Sequence, residues 1–161
     1  MTVYINGVAS IDYPEKLKSY TAADRWVIPG WFAYSTMNTV MGQGVLYYIP
    51  IFVPETTTYI GIGIFVGVSA AGKLARLGIY EWDNGSPGAL ILDAGTVSVG
   101  TALGKAIIIA QTLPRGYYFL AIVSDGTPQL RAQDLGDGCV TPVDGFQEGN
   151  NLIYDVTLLT V

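Results

Sequence analysis

The chain has no histidine and a single cysteine, Cys139. Without imidazole, Ser-His and Cys-His nucleophilic catalysis is excluded, and the commonest transition-metal ligand is missing. One thiol cannot close an internal disulfide, so the fold does not depend on oxidation. Charge is scarce as well. Asp, Glu, Lys and Arg make up 13% of the 161 residues, against ~25% in an ordinary soluble domain. Net charge is −5 and the 8 basic residues are scattered, so nucleic acid has no electrostatic footprint. The longest apolar stretch, IGIGIFVGVSAAG at 60–72, falls short of the ~20 residues of a membrane helix and alternates like a strand. No basic segment followed by an apolar core opens the chain, so no secretory signal is visible. Synthesis in a cytoplasm, without membrane insertion, is the expectation.

What is abundant points to strands. Val, Ile and Thr number 15, 15 and 14, while Glu and Lys together reach 8; β-branched residues favour sheets over helices. From residue 45 onward, strand-like segments alternate with turn chemistry. VLYYIPIFV (45–53) is followed by YIGIGIFVGV (59–68), whose even positions Ile60, Ile62, Ile64, Val66 and Val68 form one apolar face. The odd positions Tyr59, Gly61, Gly63, Phe65 and Gly67 leave a face of little bulk, open to close approach. ARLGIYEW (75–82) leads through the turn-rich loop 83–88 to ALILDAGTVSV (89–99), where Asp93-Ala94-Gly95 suggests a bulge. KAIIIAQTL, YYFLAIVS, QLRAQDL and LIYDVTLLTV follow. YYFLAIVS is apolar on both faces and belongs mid-sheet.

Some eight strands at short spacing, with no helical stretch between them, specify an all-β antiparallel two-sheet sandwich of jelly-roll-like type. Its expected core holds Ile60, Ile62, Ile64, Leu120, Ile122, Val156 and Leu158. Residues 1–44 open with a short possible strand at Val3, Tyr4 and Ile5 but show no clear strand period around 26–34, and are expected to form an N-terminal arm preceding a sandwich at 45–161. Trp26, Trp31, Phe32 and Tyr34 crowd this arm. They either cap an open end of the sandwich or anchor the arm on a neighbouring subunit or a larger assembly.

Catalytic motifs are wanting. Gly67-Val68-Ser69-Ala70-Ala71-Gly72 is out of step with the G-x-S-x-G elbow. Gly61-x-Gly63 opens no helix. Glu81 with Asp93, or Asp134 with Asp137, are the acid pairs to weigh for glycoside hydrolysis, and nothing raises them above ordinary surface acids. The oxygen-rich loops at Asp83-Asn84 and at Asp134, Asp137 and Asp144 do not match calcium-loop spacing. No cofactor and no metal are expected. Tyr80, Trp82, Asp83 and Asn84 suit binding better than catalysis: the indole offers a stacking plane for a sugar, and the acid and amide offer partners for its hydroxyls. The plainer alternative has Trp82 covering the sheet and Asp83-Asn84-Gly85 turning the chain. As a binding site, Trp82→Ala is expected to abolish glycan binding and leave the melting temperature nearly unchanged.

LGIYEWDNGSPGALILDAGTVSVG (77–100), followed by LPRGYYFLAIVSDGTPQL (113–130), resembles small β-sandwich, jelly-roll-like virion proteins of tailed bacteriophages. In that pattern a strand ending Ile-Tyr enters an acidic turn with Pro-Gly, a strand ending D-x-G-T-V follows, and an L-P-x-G-x-Y/F-x-L-A element completes it. The opening V-Y-I-N-G-V at 3–8 is similar too. The resemblance implies a non-enzymatic fibre, tail-appendage or capsid-decoration protein located in the virion. It further implies a homotrimer attached through its N-terminal segment to major capsid or tail proteins. Two other classes stay open: a carbohydrate-binding module that recognises host-surface glycan, and a small hydrolase.

Overall fold

Alternating apolar positions are realised as antiparallel strands throughout. The computed structural model describes short strands at Tyr4–Ile5 (β1), Val8–Ala9 (β2) and Trp26–Val27 (β3), then residues 35–134 and 152–160. Among the described residues all regular structure is β, and no helix is long and apolar enough to cross a membrane. One sheet has four strands in the order Tyr47–Val53 (β5), Gly116–Ser124 (β10), Leu74–Asp83 (β7) and Ser86–Ser98 (β8). As its doubly apolar sequence requires, β10 lies inside, between β5 and β7.

The second sheet is organised around Thr57–Val68 (β6). One edge of β6 pairs with Leu103–Leu113 (β9). Its other edge changes partner: Leu130 of Gln129–Asp134 (β11) faces Val66, and Val156 of Val156–Thr160 (β13) faces Ile64. The strand Ser35–Val40 (β4) flanks β11 on its far edge, and Leu152–Tyr154 (β12) pairs with its end. The protein is therefore an all-β, two-sheet antiparallel sandwich.

The core forms where the inward faces meet. Ile49, Ile51, Leu77, Ile79, Leu120 and Ile122 pack against Ile62, Ile64, Val66, Leu130, Val156 and Leu158, all buried. Ile60 is the exception among the expected core residues: it is only half-buried, while its neighbour Tyr59 is buried. Against β13, Ile60 is an extra residue between Tyr59 and Gly61, and this bulge reverses which side chains face inward. At the other end of β6, Val68 has left the core and is exposed.

Sheet pairing begins before residue 45. β4 belongs to the second sheet, and Trp26 pairs with Leu159 of β13. The open face expected along the β6 glycines is filled at Gly67 from within the chain. A Cβ there would lie 2.2 Å from Asn38 Oδ1 of β4, so any larger residue at 67 would have to displace that side chain.

Candidate functional site: an aromatic outer face

The outer face of the four-stranded sheet follows from strand alternation. In β5, Ile49, Ile51 and Val53 point inward, which sends Tyr48, Pro50 and Phe52 outward. In β10 the outward set is Tyr117, Phe119 and Ala121; in β7 it is Arg76, Gly78, Tyr80 and Trp82. Register aligns these residues in rows across the sheet. One row reads Tyr48, Ala121, Gly78 and Asp93, and the next reads Pro50, Phe119, Tyr80 and Leu90.

Six rings touch on this face. Tyr48 and Tyr80 meet edge to face at 5.2 Å although β10 runs between their strands, so both rings lean over β10. Trp82 stacks on Phe119 at 4.9 Å with planes 9° apart. Tyr117 leans on Trp82 at 5.2 Å and on Phe52 at 4.8 Å. Phe119 is thereby buried to 1% exposure on a face that points away from the core, while Tyr117 keeps 47% and Tyr48 37%. Burial and the adjacent Tyr80 hydroxyl push the Tyr48 phenol above its usual range.

At one end of the ring cluster sits an ion pair. Arg76 Nε donates to Asp93 Oδ1 at 2.9 Å and to Oδ2 at 3.1 Å, and Arg76 Nη2 donates to Asp93 Oδ2. Gly95 N donates to the same carboxylate at 3.0 Å. The guanidinium, and after it the Gly95 amide, holds the Asp93 carboxyl below its ordinary range; the carboxylate raises Arg76 in turn. Gly78 separates this pair from Tyr80. A Cβ on Gly78 would lie 2.9 Å from the Leu92 carbonyl and 3.7 Å from the Tyr80 ring.

The expected constellation Tyr80, Trp82, Asp83 and Asn84 is divided by this geometry. Tyr80 and Trp82 share the aromatic face, but Asp83, one step along β7, points the other way. A Cβ on Gly88 would touch the Cβ atoms of Glu81 and Asp83, which places those acids on the opposite side. Asn84 and Gly85 have φ of 49° and 93° and close a two-residue turn between β7 and β8; Asn84 Nδ2 donates to Asp83 Oδ1 at 3.2 Å. Glu81 and Asp93 likewise lie on opposite faces, so they do not form a catalytic acid pair. Of the aromatic residues expected to make subunit or virion contacts, Trp31, Phe32 and Tyr34 lie outside the described residues, as do Asp137 and Asp144. Trp26 lies in β3.

Tyr48, Tyr117, Phe119 and the Arg76–Asp93 pair were not singled out from the sequence. Their signal was present in the period-2 alternation of β5 and β7, but YYFLAIVS reads as uniformly apolar and hides which rings face out. Among the described residues no cluster of three or more acids or thiols could hold a metal ion. No family model, curated protein or solved structure matches the chain.

Proposed function

We propose that the chain is a non-enzymatic virion protein of the tailed-phage type that residues 77–100 and 113–130 resemble, acting through contact rather than chemistry. The observation that carries this reading is the six-ring cluster on the outer face of the four-stranded sheet. Exposed aromatic surface of this kind is typical of interaction faces, because rigid rings offer large contact area at little entropic cost. It lies on paired strands rather than loops, so its shape is fixed before any partner arrives.

A homotrimer belongs to the same proposal. Supporting it, the edge strand β9 carries Leu103 and Ile108 at 69% and 91% exposure, a degree of apolar exposure that a partner surface would relieve. The test is direct: particles of a phage encoding this chain are purified and their proteins identified by mass spectrometry. Stoichiometric presence of the chain is the expected result. Presence only in the lysate supernatant, with none on particles, would refute the virion reading.

A further inference from the structure

We propose that the strip running from the Arg76–Asp93 pair over Gly78 to Tyr80 and Tyr48 binds an uncharged pyranose of a glycan. The proposal rests on the outer face being the contact surface, as argued above, and adds the chemistry of what it contacts.

Three observations select this ligand. The first is charge. β5 and β10 carry no acid or base, and the outward residues of β7 and β8 contribute only Arg76 and Asp93, which neutralise one another. The face therefore carries no net charge, and an ionic ligand gains no long-range attraction over a neutral one.

The second is the arrangement of donors and acceptors. Arg76 spends Nε and one Nη2 hydrogen on Asp93, and its outer N–H groups have no other partner among the described residues. Asp93 is held by Arg76 and the Gly95 amide, with lone-pair capacity remaining. A fixed donor beside a fixed acceptor matches two adjacent hydroxyl groups, one accepting from the guanidinium and one donating to the carboxylate. Charge-assisted bonds of this kind are the stronger class. Both groups remain reachable, with side chains 58% and 39% exposed.

The third is the apolar neighbour. Tyr80 and Leu90 lie in the next row, and Tyr48 closes the far side through its contact with Tyr80. A pyranose has a C–H face for the rings and an equatorial rim of hydroxyls for the ion pair. Gly78 lets the two halves close up on one another, since a Cβ there would lie 2.9 Å from the Leu92 carbonyl, 3.6 Å from the Leu90 side chain and 3.7 Å from the Tyr80 ring. This places the sugar one row away from Trp82 and away from the Asp83–Asn84 turn.

The experiment titrates the full ¹⁵N-labelled chain with maltohexaose, cellohexaose, mannohexaose and, as the charged comparison, an oligogalacturonate. The expected result is that at least one neutral oligosaccharide, at about 10 mM or below, moves the amides of Gly78, Tyr80, Asp93 and Gly95. Arg76→Gln and Asp93→Asn should each weaken that binding about tenfold. Their melting curves should stay close to that of the parent, because an exposed ion pair contributes little to stability. The proposal is overturned if none of the neutral oligosaccharides moves these amides. It is equally overturned if only the oligogalacturonate binds, if the shifts centre on Asn84, or if both variants bind like the parent. Virions that carry the chain while these titrations stay silent would sink the sugar site and leave the virion reading standing. Binding by a chain absent from particles would do the reverse.

Discussion

Single residues show how far a side chain's role depends on its neighbours rather than its type. Trp82 is half-buried and its indole lies flat on Phe119, so this geometry argues for a loss of stability on its removal where the sequence alone suggests none. Trp82→Ala should destabilise by about 1–2 kcal/mol through lost ring stacking and burial, and Phe119→Ala by about 3–5 kcal/mol; urea unfolding of the two variants measures both. Asp155, between β12 and β13, is buried, and its Oδ1 has no hydrogen-bond partner among the described residues. Burial pushes its carboxyl pKa up, against the opposing pull of the Gln133 side chain and Arg131. A raised folded-state value means that the native chain holds this proton more tightly than the unfolded chain. The protonated form's contribution is complete below the unfolded value and is lost as pH rises through the folded one. Asp155→Asn should therefore raise the melting temperature at pH 7 and flatten the loss of stability between acidic and neutral pH. An unchanged pH profile would show that the carboxyl does not titrate in this way. None of this was legible in LIYDVTLLTV, where Asp155 reads as an ordinary polar interruption; only the pairing of β12 with β11 and of β13 with β6 puts it indoors.

At the level of elements, alternation was legible and its interruptions were not. β6 reads as one unbroken period, yet the bulge after Tyr59 reverses its inward set, and Ile60 loses its place in the core. That slip is imposed by pairing with β9 and β13, residues far away in sequence, so no local pattern announces it. β8 was easier. Asp93-Ala94-Gly95 looks like a bulge and is one, with Gly95 at φ 88° and three register shifts along the strand's pairing with β7. A bulged, strongly twisted edge strand resists pairing with other sheets. Gly95→Ala meets no steric contact, since nothing lies within 4 Å of a Cβ there. Its cost is the backbone's alone, about 1–2 kcal/mol for a side chain forced to positive φ. Chemical denaturation reads that loss, and fast amide exchange at Asp93 and Gly95 would localise it to the bulge.

For the molecule as a whole, the low charge that first suggested subunit burial has a structural counterpart in the apolar side chains left outside. Tyr117, Leu90 and Ile108 occupy two different surfaces, the sheet face and the β9 edge. Sedimentation equilibrium at micromolar concentration should give a species three times the 17.2 kDa chain mass. Ile108→Lys should shift it toward the monomer, because a charge at an apolar contact must be desolvated. A 17.2 kDa species from the parent chain would refute the trimer. Two sheets, most of the strands from residue 45 onward and most of the core could be read from composition and spacing. The ring cluster could not, because it is assembled from three strands whose order in the sheet, β5-β10-β7, departs from their order in the chain.

The change of partner along β6 sets the timetable of folding. Thr157 Oγ1 donates to the Gly63 carbonyl, 94 positions earlier in the chain, so the middle of the second sheet keeps a bare edge until residues 156–160 have been synthesised. Such distant pairing carries a large loop-closure entropy and places folding in the millisecond-to-second range typical of sandwiches, about a thousandfold slower than helical bundles. During that interval the vacant edge of β6 accepts any strand of the right sequence, including the 156–160 segment of another copy. Refolding at high protein concentration should accordingly yield interlocked, strand-exchanged oligomers that dilution alone does not dissolve, whereas refolding at low concentration should not.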